Sequence, residues 1–124
     1  MKWALNRQFP RLGFGWHWVD GTNHDVRISD FRASNNLLGW VNCPNSATER
    51  GRNPNRWCYG QRLNVNLRFS LPPAGKRYLA CHELGHTVGL RHETELHSDS
   101  CMRVVRDTTP SYSMEDVYAV RRHY

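Results

Sequence analysis

A chain of 124 residues is long enough for one domain with a real core and too short for two of ordinary size. Its 39% apolar and 23% charged content argues against a disordered or membrane-embedded chain, and no apolar run reaches the length of a transmembrane helix. The net charge of +6, from 17 Lys+Arg against 11 Asp+Glu, comes from scattered arginines without a nucleic-acid-binding signature, so no nucleic-acid partner and no membrane partner are expected.

The first twenty residues contain no apolar signal-peptide core, so an exported protein would have its leader removed or replaced by the starting Met. Phe14, Trp16 and Trp18 alternate with Gly15, His17 and Val19, a period of two that predicts a strand with an aromatic face. Such aromatics could stack on a sugar or a base, but Trp more commonly anchors a core. No helix is legible in the first 60 residues. Asp20 to Asn23 reads as a turn, and Val26 and Ile28 as a short half-buried strand.

Residues 34–55 read mainly as loop around an apolar island of Leu37, Leu38, Trp40 and Val41. The clearest strand follows, with Leu63, Val65, Leu67 and Phe69 on one face, and Pro72 and Pro73 stop it. Helical periodicity then runs from Gly75 to Val88, with Tyr78, Leu79, Leu84 and Val88 facing the core and Gly89 as a left-handed stop. Ser113 and Asp116 have the spacing of a capping box. The helix they open, Met114 to about Arg122, is expected to turn Val117, Val120 and Tyr124 inward.

Four cysteines, Cys43, Cys58, Cys81 and Cys101, include no C-x-x-C pair and suit two disulfides formed in an oxidising compartment. The local pairing, Cys43–Cys58 with Cys81–Cys101, closes two short loops and is preferred among the three possible; four reduced, buried thiols are the alternative. Each bridge would stabilise the fold by about 3 kcal/mol.

The stretch CHELGHTVGLRH, residues 81 to 92, carries the chemistry. His82 and His86 lie four apart, so a helix projects both imidazoles from one face, where they can grip one ion. Glu83 sits about 100° round the helix, within reach of a metal-bound water rather than the metal, as a general base. Gly89 bends the chain so that His92 can supply the third ligand. His97, Asp99 and His24 are further candidates, but none has a spacing that competes with His92.

The pattern H-E-x-x-H-x-x-G-x-x-H resembles the signature of the metzincin zinc metallopeptidases, and Ser100-Cys101-Met102 matches their Met-turn. Among these the chain looks most like small secreted bacterial metzincins with C-H-E-L-G-H and a nearby S-C-M. The resemblance covers mainly residues 75–124 and implies an α+β zincin fold in one domain, residues 1–124. That fold has a small twisted sheet, an active-site helix, and a loop-rich C-terminal part with the Met-turn and a terminal helix. It implies Zn2+ held by His82, His86 and His92, Glu83 as general base and then acid, Gly89 and Met102 in structural roles, and hydrolysis of internal peptide bonds in a polypeptide substrate laid along an edge strand. The expected protein is a secreted monomer. A zinc-stabilised module that binds protein or glycan through its basic, Trp-rich surface is the alternative. A Cys81–Cys101 bridge would tie the helix to the Met-turn.

Overall fold

The computed structural model describes residues 1–43, 60–94, 99–104 and 109–124. They form an α+β arrangement of four helices and a three-stranded mixed sheet: α1 (Lys2–Arg7), α2 (Phe9–Leu12), β1 (Val26–Phe31), β2 (Gly39–Asn42), β3 (Gln61–Asn66), α3 (Pro73–Thr87) and α4 (Met114–His123). The central strand is β3, parallel to β1 and antiparallel to β2. None of the helices among the described residues is long and apolar enough to cross a membrane.

Two apolar clusters flank α3. One joins Ala4 and Leu5 of α1 to Val41, Leu63, Ala80 and Leu84, so that α3 is gripped between the N-terminal helix and the sheet. The other gathers Leu12, Tyr78, Cys81, Val88, Met102, Tyr112, Val117 and Val120, and packs α2 and α4 on the far side. Residues of α3 that follow one another in sequence thus serve different clusters, and Tyr78, Leu79, Leu84 and Val88 are all buried as their spacing predicts.

Five expectations need correction. The N-terminus is helical: α1 and α2 cover residues 2–12, and Gly13 at φ +93° ends the second. Helices of six and four residues are too short to show a period and too short to persist alone, so burial of Ala4, Leu5 and Leu12 must hold them. Residues 14–20 form no strand despite their alternation; Phe14 packs on Tyr124 with ring centroids 5.2 Å apart, and Trp16 on Trp18 at 5.6 Å. The apolar island, expected as loop, contains β2.

Strand β3 also stops early, at Asn66. That side chain is 2% exposed: its Oδ1 accepts from the backbone N–H of Ala33 and of Arg68, both at 3.1 Å, and its Nδ2 donates to the carbonyl of Leu37 at 3.0 Å. The amide is turned inward to hold the β1–β2 connection; Leu67, whose N–H still donates to Phe31 O at 2.8 Å, is 49% exposed rather than on the core face. Tyr124, expected inward, is 56% exposed at the end of α4, whereas Val117 and Val120 are buried.

Candidate metal centre

The helix that carries the histidines is closed by a Schellman turn. Gly89 takes φ +86°, its N–H donates to His86 O at 3.1 Å, and Leu90 N–H donates to Gly85 O at 3.0 Å. Beyond the bend, Glu93 N–H donates to Met102 O at 2.9 Å, and Glu93 bridges in parallel to Arg103. The segment bearing His92 is therefore held against the turn at residues 100–102. On the other side the Cys81–Cys101 disulfide ties that turn to α3, with Cα atoms 6.0 Å apart. The expected Cys43–Cys58 pairing involves Cys58, which lies outside the described residues.

This framework brings three imidazole nitrogens into one small triangle. His82 Nε2 lies 3.2 Å from His86 Nε2, and both lie 3.1 Å from His92 Nε2. His82 Nδ1 is 2.7 Å from the carbonyl of Cys101, and His86 Nδ1 is 2.8 Å from that of Leu90. A carbonyl can only accept, so each Nδ1 carries the ring proton and each Nε2 presents a bare lone pair. Two lone pairs facing each other at 3.2 Å repel unless a cation lies between them. Burial lowers the His82 pKa, opposed by its bond to Cys101 and assisted by His92. Ligands on a tetrahedral zinc, each at about 2.1 Å, lie roughly 3.4 Å apart, close to the edges of this triangle. His82, His86 and His92 thus form a group able to hold a metal ion.

Glu83 is 3% exposed and faces the sheet rather than solvent. Its carboxylate lies so close to Gly39 of β2 that a Cβ there would stand 2.7 Å from Glu83 Oε1. Oε2 has no hydrogen-bond partner among the described residues, and burial pushes the pKa up to about 8. A buried carboxyl with an unsatisfied oxygen is costly to keep.

Met102 is fully buried beneath Gly85, where a side chain would run into its sulfur. Tyr112, 1% exposed, donates its hydroxyl to the carbonyl of Cys81 at 2.8 Å; burial and then Asp116 raise its pKa. Glu93, next to His92, has its pKa pushed up to about 7, first by burial and then by Asp116. Sequence reading gave no role to Gly39, Gly85 or Tyr112, and took Ser100 only as part of the Met-turn and Asp116 only as a helix cap. Only Gly39 carried a usable signal, since a glycine within an apolar strand often marks a close approach. Of the other proposed ligands, His24 bonds through Nδ1 to Gly21 O at 3.2 Å, Asp99 is exposed, and His97 lies outside the described residues.

No protein-family model and no curated protein matches this chain.

Proposed function

We propose that this chain is a zinc-dependent endopeptidase of metzincin type, acting as a secreted monomer on internal bonds of a polypeptide. The observation that carries the reading is the pair of helix imidazoles whose Nδ1 protons are committed to carbonyls, leaving their Nε2 lone pairs to converge beside His92 Nε2. Three neutral nitrogens suit Zn2+, and an open fourth position is what distinguishes a catalytic zinc from a structural one. When bound, the ion supplies a Lewis acid that polarises a carbonyl and acidifies water.

The protein's own groups do the rest. Glu83 takes the proton of the attacking water and later returns it to the leaving amine. Burial keeps competing water away from that carboxyl. The extended substrate pairs with β2, an edge of the three-stranded sheet and the strand whose Gly39 abuts Glu83.

Glu83→Gln in the zinc-loaded, oxidised protein tests this. Peptide turnover should fall by at least about a hundredfold while zinc content stays at one equivalent. Less than about half an equivalent in wild type, purified without chelator, defeats the site itself. A second reading, a zinc-stabilised module that binds a protein or glycan, draws on Trp18, 54% exposed beside a cavity of about 770 Å³ that Trp16 and His24 also line. Glu83→Gln leaves such a module's binding intact, and a wild type that cleaves nothing in a broad peptide library favours it.

A further inference from the structure

Asp116 lies on the first turn of α4, 5% exposed, and its Oδ2 accepts from the backbone N–H and the hydroxyl of Ser113, both at 3.0 Å. With Ser113 Oγ accepting from Asp116 N–H at 3.0 Å, these bonds complete the helix cap. A further bond, from Ser100 Oγ at 2.6 Å, plays no part in the cap and leaves the helix. Ser100 is fully buried, and its Oγ accepts the N–H of Met102 at 2.9 Å. That N–H belongs to the same planar peptide unit as the Cys101 carbonyl, which accepts from His82 Nδ1 at 2.7 Å.

All the donors in this series point the same way. His82 donates to the Cys101 carbonyl, the Met102 N–H to Ser100, and the Ser100 hydroxyl to the Asp116 carboxyl group. Hydrogen bonds aligned in this way polarise one another, more so in a buried setting. We propose that Asp116 is a positioning residue of the metal centre, acting through Ser100 and the Cys101–Met102 peptide as a remote carboxylate partner of His82. The inference rests on His82 being a metal ligand. A carboxylate bonded directly to a ligating histidine fixes its ring and makes its free nitrogen a better donor. Here a hydroxyl and a peptide carry the same polarity across the gap. Because the peptide is held at its N–H as well as its oxygen, it cannot swing away from the ring.

The test compares Ser100→Ala, Asp116→Asn and Ser113→Ala in the full oxidised chain. Zinc affinity is read by chelator competition, ligand field by the visible spectrum of the Co2+-loaded protein, and folding by far-UV circular dichroism and melting. Ser100→Ala breaks the series and spares the cap: zinc affinity should fall about tenfold and the Co2+ bands should shift. Asp116→Asn keeps the shape and removes the charge, and should show a smaller change of the same sign. Ser113→Ala damages the cap and should lower the melting temperature with zinc affinity and Co2+ bands unchanged. If Ser100→Ala does not fold, Asp116→Asn decides. Variants that match wild type in both metal readouts overturn the proposal, as does a loss that merely follows melting temperature across all three. A wild type that takes up neither Zn2+ nor Co2+ overturns the metal centre itself and is thereby distinguished from failure of the Asp116 link alone.

Discussion

Gly39 and Glu83 meet across the gap between the edge of the sheet and α3, so closely that a Cβ on Gly39 would stand 2.7 Å from Glu83 Oε1 and 2.9 Å from the backbone oxygen of Asn64. The second contact matters most. The carboxylate could turn aside, but the central strand cannot.

Gly39→Ala should therefore destabilise the fold by about 1–3 kcal/mol, as overpacking a tight site does, and push the Glu83 carboxyl from its place. No metal ligand is touched, so zinc affinity should hold while peptide turnover falls. Urea unfolding with chelator competition checks both; weakened zinc binding would show that β2 supports the histidines as well.

Gly85 stands in a similar relation to Met102, whose sulfur occupies the space a side chain would need, with the Tyr112 ring 3.0 Å from the same point. In an open helix, Gly→Ala gains about 1 kcal/mol. Here packing should outweigh that gain, giving a net loss of about 1–2 kcal/mol. A double-mutant cycle with Met102→Ala should show a favourable coupling, because the smaller residue vacates the space. Additive losses would rule out the contact as the cause.

In metal-free protein Glu83 should contribute stability that falls as pH rises, against an opposite contribution from His82, whose pKa burial lowers. Burial lifts the Glu83 pKa from 4.5 to about 8, so the folded state retains a proton that the unfolded chain releases in that window. The contribution is fully present below pH 4.5 and is lost as pH climbs towards 8. Glu93, pushed up to about 7, acts with the same sign. Melting in chelator at about pH 5 and about pH 8 should show wild type losing more, or gaining less, stability towards the higher pH than Glu83→Gln does. An equal change in both proteins would exclude Glu83.

The Cys81–Cys101 bridge, spanning 20 residues, ties α3 to the turn whose carbonyl fixes His82. Replacing both cysteines with serine should cost about 3 kcal/mol through the unfolded state. It should also weaken zinc binding without removing a ligand. Unchanged zinc affinity in the double variant would show that hydrogen bonds alone hold the turn.

What the sequence alone determined is local. The period of a helix sets His82 and His86 on one face, and a glycine able to take φ +86° bends the chain towards His92; both follow from residues within a dozen positions. The ends of α4, its capping box and the Cys81–Cys101 pairing were legible on the same footing. Tertiary structure decided the rest, because the contacts join residues far apart in sequence. Helices α1 and α2 exist through burial against α3 and α4 and not through their own propensity. Strand β3 ends where a buried amide is needed by the β1–β2 connection. Glu83 is buried because an edge strand offers a glycine for it to rest on. His82 has its proton placed by a carbonyl 19 residues further along the chain. Spacing brought the three histidines together, and packing placed the ring protons of His82 and His86.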